Sequence, residues 1–338
     1  MRTWIVDHPG PAAGGPFVAV ERPVPEPGPG EVGLRVLACG VCRTDLHLAE
    51  GDLAPRRGRT TPGHEIVGEV TRLGPGSSRF APGDRIGVAW LRGTRGSCRF
   101  CRSGRENLCP RARFTGWDDD GGYAEHAVVA EDFAHRLPAD ADPVAAAPLL
   151  CAGIVGYRAL RLAELPPDGR LGIYGFGASA HVVAQVAIAQ GARVHVVTRA
   201  EPARRLALEL GAASAGDGPP ELLDSAIIFA PAGELVPVAL RALDAGGTLA
   251  VAGIHLSDVP SLDDDRDLLR ERTLRSVTAN TRADGEEFLR LAHALRVRPR
   301  TTAHELADAA DVLADLAADR VTGAAVLVPG DGGGRQDS

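Results

Sequence analysis

Six cysteines and one Gly-His-Glu step carry most of the chemistry legible in this chain of 338 residues. Cys42, the His64 of Pro62-Gly63-His64-Glu65, and Cys151 together make the donor set of an open zinc site. Three protein ligands leave the fourth tetrahedral position to water or substrate, the arrangement of a catalytic rather than a structural zinc. Cys98-x₂-Cys101-x₇-Cys109 is a second cluster, one ligand short of four. Downstream of Cys151, Gly175-Phe176-Gly177-Ala178-Ser179-Ala180 matches G-x-G-x-x-A. The glycines of that pattern let backbone approach a dinucleotide pyrophosphate at a helix N-terminus. A metal and a nicotinamide in one chain point to hydride transfer.

These groups need a scaffold. Residues 31–38, 66–73, 85–90 and 123–129 are short apolar or alternating runs, punctuated by Gly28-Pro29-Gly30 and Pro82-Gly83-Asp84, and they predict a β-rich first domain. From Val144 to Ala163 the spacing of Ala and Leu turns helical. Strands then alternate with helices. Residues 171–174, 193–198, 226–229 and 248–251 read as strands, and 178–190, 202–210 and 235–243 as helices. That alternation implies a doubly wound parallel sheet, with the glycine motif between a strand and a helix as its chemistry requires. The tail reads as a helix over 285–295, a strand near Thr302, a helix over 308–318 and a strand over 324–328, and is expected to rejoin the first domain. Gly330 to Gly334 reads as a frayed end. The expected division is a catalytic domain of residues 1–150, completed by 286–338, and a dinucleotide-binding domain of residues 151–285.

Composition removes other classes. The formal net charge of −7 offers no basic footprint for nucleic acid. No apolar run approaches the roughly 20 residues that span a bilayer, and Met1-Arg2-Thr3-Trp4-Ile5 lacks the layout of a signal peptide, so a soluble cytoplasmic protein is expected. All 37 basic residues are arginine. Without lysine there is no Schiff-base chemistry, no P-loop and no Tyr-Lys pair of a short-chain dehydrogenase. Clustered cysteines in such a protein are metal sites before they are disulfides.

The stretch Cys39-Gly40-Val41-Cys42-Arg43-Thr44-Asp45-Leu46-His47 is followed in order by Gly63-His64-Glu65, Gly121-Gly122-Tyr123-Ala124-Glu125, Leu150-Cys151-Ala152-Gly153 and the glycine fingerprint. This ordered set resembles the zinc-dependent alcohol dehydrogenases of the medium-chain dehydrogenase/reductase (MDR) superfamily, whose catalytic zinc is known to take two cysteines and a histidine. The resemblance covers nearly the whole chain and implies a GroES-like catalytic domain with a Rossmann domain. It implies that Cys42, His64 and Cys151 hold the catalytic zinc, a Lewis acid that lowers the pKa of an alcohol. Glu65 becomes a carboxylate beside the metal. Thr44 takes the alcohol proton and passes it, through the cofactor ribose, to His47. Cys39 packs. The implied substrate is a primary or secondary alcohol or the matching aldehyde or ketone, with NADP or NAD as cofactor, in a homo-oligomer (dimer or tetramer).

Two departures and two further residues refine this. Arg95 stands where the Cys98–Cys101–Cys109 lobe should begin with a cysteine, and a guanidinium has no lone pair to give. A carboxylate or water could complete a structural zinc there, or the lobe could fold without metal; about one zinc per chain is expected. A candidate partner for Arg95 is the cluster Asp118, Asp119 and Asp120. The second strand of the cofactor domain leads into Thr198-Arg199 rather than an acid, which suits the 2′-phosphate of NADP; the alternative is that Arg199 stacks on adenine or points into solvent. Trp90 holds a pocket position whose bulk favours a small or unbranched alcohol, and its alternative is a place in the core. His181 is placed near the cofactor or on the helix surface. Two other readings are a zinc-free quinone reductase of the same superfamily and a non-catalytic nicotinamide-binding redox sensor. The intact ligand set argues against the first, and the Thr44–His47 pair against the second.

Overall fold

The computed structural model describes residues 1–330, so the glycine-rich end from Asp331 lies outside the described residues. The chain divides into two compact units, Met1–Cys151 together with the chain from Arg300, and Ala152–Pro299.

The first unit is organised around one long strand, Glu31–Val41. Nearly every residue from Val32 to Val41 is buried, on both faces of the strand. Its sheet runs in the order Thr301–Glu305, Ala324–Val328, Glu31–Val41, Glu65–Leu73, Arg85–Val88, Ala134–Arg136, with His126–Ala130 paired to the front half of the long strand. The tail strand pairs antiparallel with the back half, placing Leu327 opposite Cys39 and Ala325 opposite Val41. Val32, Leu34, Ile66, Ile86, Tyr123 and Leu327 meet in the core of this unit.

Local structure departs from the apolar pattern where residues of chemical interest lie. The run 85–90 is a strand only to Val88, and Trp90 occupies the bend before Leu91–Gly93. The helical run from Val144 is not one helix. Pro143–Ala146 gives way to a 3₁₀ turn, Ala147–Leu150, in which Pro148 has no amide hydrogen to donate. Cys151 then leaves helical geometry (φ −127°, ψ −69°), and Ala152–Leu162 begins a new helix.

The second unit has a six-stranded sheet, all parallel, in the order Ser214–Gly216, Arg193–Val197, Arg170–Tyr174, Leu223–Ile228, Leu243–Val251, Thr273–Ser276. Counted along the chain this is 3-2-1-4-5-6, the Rossmann order, with its switch point between Arg170–Tyr174 and Leu223–Ile228. The two edge strands escape sequence reading because they are short, partly exposed and carry no apolar run.

The second compact unit runs to Pro299, past the expected boundary at residue 285. The helix Arg282–Ala294 belongs to the second unit. Its Phe288 is fully buried with its ring 5.7 Å from that of Tyr157, and Arg158 donates to the buried Asp284 carboxylate at 2.7 Å. Among the described residues no single helix is long and apolar enough to cross a membrane.

Candidate active site

Two of the expected metal ligands are neighbours because of strand register. In the antiparallel pair Glu31–Val41 and Glu65–Leu73, Gly40 lies opposite Glu65. Cys42 follows the end of the first strand and His64 precedes the start of the second, so both fall at the same end of the sheet, about one strand spacing (~4.8 Å) apart. Cys151 joins them from the break after the 3₁₀ turn, its Sγ 4.0 Å from that of Cys42. Donor atoms of Cys42, His64, Glu65 and Cys151 all lie within 4.8 Å of one another.

Sequence reading assigned no role to Asp45, which ties this end of the sheet together. It sits at the third position of the helix Arg43–Glu50, whose N-cap is Cys42, and its carboxylate accepts the Cys42 amide at 2.9 Å. The same carboxylate accepts the Gly63 amide at 3.0 Å and the Tyr123 hydroxyl at 3.2 Å, and faces His64 Nδ1 at 3.4 Å. Asp45 is completely buried, so these partners are what allow a carboxylate there at all. An acid three residues after a helix-capping position is the one sequence cue that could have found it. Gly63 adopts φ +95°, and a Cβ there would fall 2.4 Å from the Tyr123 ring. Only glycine lets the chain turn into His64 at that point.

The donor set fits zinc. Both ring nitrogens of His64 are fully buried; Nδ1 faces the Asp45 carboxylate at 3.4 Å, out of line for a full hydrogen bond, and Nε2 has no partner in hydrogen-bonding geometry among the described residues. Such an orphaned imidazole costs stability unless something else takes its lone pair. Zinc bonds of about 2.0–2.3 Å place tetrahedral donors roughly 3.3–3.8 Å apart, so the donor atoms of Cys42, His64 and Cys151 need only a small contraction to close on an ion. Without metal the thiol of Cys42 is held well below its usual value by the adjacent Cys151 thiol and by His64, against the effect of burial. Cys151 is pushed up by Cys42 and by burial. Burial disfavours charge on His64, but Asp45 and Cys42 outweigh it and raise its proton affinity. A metal must displace those protons to bind. Cys39 is buried, its thiol pushed up chiefly by burial, and it packs beside the site.

Thr44 and His47 share one face of the helix Arg43–Glu50, three residues apart. Thr44 is buried with Oγ1 3.7 Å from Cys42 Sγ. His47 is partly exposed and its Nδ1 lies 2.8 Å from Asp52 Oδ2. Glu65 is buried at the head of its strand. Trp90 is half-buried rather than core, meeting the His64 ring edge-on at 4.8 Å. Sequence reading missed its companions: Phe114 and Trp117 stack with it at 4.9 and 6.0 Å, and Arg56 lies 3.7 Å over Trp117 while pairing with Asp118. The four come from three separate segments, Phe114 and Trp117 sharing one turn, and no local pattern links the three.

Cys98, Cys101 and Cys109 also converge, with donor atoms within 4.8 Å and the first two sulfurs 3.4 Å apart. The Arg95 amide donates to Cys109 Sγ at 3.4 Å, while the Arg95 side chain is exposed. The acidic cluster suggested as its partner is engaged by other arginines. Asp118 pairs with Arg56, Asp119 with Arg92 and Arg113, and Asp120 with Arg22 and Arg57.

In the second unit the glycine turn follows Arg170–Tyr174 and opens the helix Ala178–Ala189. Gly175 has φ +84°, and a Cβ there would fall 2.8 Å from the Ala230 amide at the neighbouring strand's end. Ala180 is fully buried, Ser179 half-buried, and Gly177 exposed with open space where a Cβ would stand. The turn therefore lies at the sheet's switch point with a helix N-terminus beside it, a cradle that fits a pyrophosphate. Thr198 and Arg199 follow Arg193–Val197; the Thr198 carbonyl accepts from Arg204, and Arg199 is exposed. His181 is not on the helix surface. It is buried, with Nδ1 3.1 Å from the Gly177 carbonyl.

Residues 28–139 match the alcohol dehydrogenase GroES-like domain family. The chain is 55% identical, over 97% of its length and 97% of the relative's, to a probable alcohol dehydrogenase AdhA of Mycobacterium tuberculosis (strain CDC 1551 / Oshkosh). Among solved structures it resembles a cobalt- and zinc-bound thermostable alcohol dehydrogenase from Pyrobaculum aerophilum (26% identity, 97% and 99% coverage of the two chains, TM-score 0.87). It also resembles acetophenone reductase from Geotrichum candidum in complex with NAD (25% identity, 97% and 96% coverage, TM-score 0.86).

Two outcomes follow for the three-cysteine lobe. Elemental analysis of the purified protein should find about one zinc per chain, and Arg95→Cys should raise this to about two and increase thermal stability. Two tightly held zincs in the unaltered protein would contradict it. Separately, the Cys101 amide donating to Cys98 is the main cause that brings the Cys98 thiol down to about 7, whereas burial pushes Cys101 up. A lowered value means thiolate at neutral pH, so alkylation of Cys98 should rise through about pH 7 and run ahead of Cys101. Peptide mass mapping after timed iodoacetamide treatment measures this, and equal labelling of the two across that range would refute it.

Proposed function

The chain belongs to the zinc-dependent alcohol dehydrogenases of the MDR superfamily, and on that premise we propose how its own residues carry the reaction. It is an oxidoreductase that interconverts alcohols and their carbonyl partners with a nicotinamide cofactor. The observation that carries the site assignment is the convergence of Cys42, His64 and Cys151, with Glu65, around an orphaned buried imidazole.

In this reading Cys42, His64 and Cys151 hold the zinc, with Glu65 beside it as a carboxylate able to exchange into its coordination. When bound, zinc supplies a Lewis acid that makes an alcohol hydroxyl easier to deprotonate, and the nicotinamide supplies the hydride acceptor or donor. Asp45 orients the His64 ring through Nδ1 and leaves Nε2 for the metal. Thr44 holds the proton of the reacting hydroxyl at its Oγ1. His47, anchored on Asp52 and partly exposed, exchanges that proton with water. Trp90, backed by Phe114 and Trp117, walls the space next to His64 and restricts it to small or unbranched substrates.

In the second unit Gly175, Gly177, Ala178, Ser179 and Ala180 cradle the pyrophosphate. Thr198 and Arg199 read the adenosine ribose, and the exposed guanidinium with no acid at this point favours NADP over NAD. Residues 1–151 with the chain from Arg300 form the catalytic domain, and 152–299 the dinucleotide-binding domain. A homo-oligomer in the cytoplasm is part of the same proposal.

Two experiments test these roles. Cys42→Ala or His64→Ala should lower kcat by at least about 10³-fold, because a Lewis acid contributes several kcal/mol at the reacting oxygen. Cofactor binding, held by a separate glycine turn, should persist; full turnover in metal-free protein would end the zinc assignment. Arg199→Ala should weaken NADPH by about 1.5–3 kcal/mol, the worth of a hydrogen bond to a charged group, and leave NADH nearly unchanged. Equal losses for both cofactors in binding titrations would show that Arg199 does not read the phosphate.

A further inference from the structure

The motif Gly121-Gly122-Tyr123 touches no cofactor or substrate group in the reading above, yet it is laced onto the segment that presents His64. Three consecutive amides donate to three consecutive carbonyls: Gly121 to Thr61 at 2.7 Å, Tyr123 to Pro62 at 3.0 Å and Gly122 to Gly63 at 2.8 Å. This clamp carries the Tyr123 ring across Gly63, whose missing side chain makes room for it. The ring is fully buried, with the Phe17 ring at 6.3 Å. Phenylalanine would fill that volume equally well, so packing does not account for the hydroxyl. A phenol buried without a partner is destabilising, and this one donates to Asp45 Oδ2 at 3.2 Å.

The partners divide evenly over the carboxylate. Oδ2 accepts from the Cys42 amide and the Tyr123 hydroxyl, while Oδ1 accepts from the Gly63 amide and faces His64 Nδ1. The group that orients the imidazole is therefore pinned from four directions, and two of its anchors flank metal donors. Removing the phenolic hydrogen leaves Oδ2 with one donor and the carboxylate freer to rotate, which loosens the register between Cys42 and His64.

We propose that Tyr123 is a positioning residue of the metal centre: through its hydrogen bond to Asp45 it fixes the carboxylate that links Cys42 to His64, and so sets how firmly the metal is held. This rests on the assignment of Cys42, His64 and Cys151 as zinc ligands.

The test is Tyr123→Phe in the zinc-loaded protein, which keeps the ring and deletes the hydrogen bond. Zinc retention is measured by competition with a chelator, geometry by the visible spectrum of the cobalt-substituted protein, and thermal unfolding with and without metal. Zinc should be held about 10-fold less tightly, at the lower end of the effect of outer-shell partners. The cobalt bands should shift, while nicotinamide binding stays unchanged. In an Asp45→Asn background the same substitution should add nothing, because the path through the carboxylate is already altered. Wild-type zinc retention together with an unshifted cobalt spectrum would overturn the proposal. So would an equal further loss in the Asp45→Asn background, or a destabilisation as large without metal as with it. If the unaltered protein itself fails to retain zinc, the ligand assignment falls and this inference with it.

Discussion

The pairing of Gly40 with Glu65 in the central antiparallel ladder is the constraint on which the convergence of Cys42, His64 and Cys151 depends. A slip of one residue would turn every side chain of one strand to the opposite face and separate Cys42 from His64. The long strand Glu31–Val41 resists such a slip because it is buried on both faces and engaged along its length. His126–Ala130 pairs with its front half, the tail strand with its back half, and Glu65–Leu73 along the other edge. The tail therefore contributes to the site without supplying a ligand, by completing the sheet that fixes the register.

Asp45 converts that register into a rigid site. One carboxylate caps the helix carrying Thr44 and His47, receives the amide before His64, and faces the imidazole. A buried charge is tolerated only when its lone pairs are engaged, and here backbone and phenol donors engage them. The helix that carries Thr44 and His47 and the loop that carries His64 are thus joined through a single group.

The two cysteine clusters differ in what holds their sulfurs together. Cys42 and Cys151 belong to distant parts of the chain and approach only because the sheet and the 3₁₀ turn bring them there. Cys98, Cys101 and Cys109 lie on one loop and converge through its short turns, with the Arg95 amide directed at Cys109. Convergence persists in this loop because backbone geometry maintains it. In the cluster of Cys42, His64 and Cys151, convergence rests on tertiary support alone.

By itself, the sequence determined the chemical types and their order: Cys42, His64 and Cys151, the strand–glycine–helix unit, and the Thr44–His47 pair at helical spacing. These are local properties of residue type and short spacing, so they are legible without coordinates. The parallel sheet followed from alternating apolar runs, yet its edge strands did not, because they bury too little to leave a pattern. Only the tertiary structure decided that the helix Arg282–Ala294 stays with the second unit, since that rests on Phe288 meeting Tyr157 far away in the chain. Only it decided that the helical run breaks at Cys151, that Trp90 stacks with Phe114 and Trp117, and that Asp45 and Tyr123 meet beside His64. The contacts among these join segments distant in sequence through packing and register, so any one stretch of the chain carries at most a partial cue, such as Pro148 before the break or the capping spacing of Asp45.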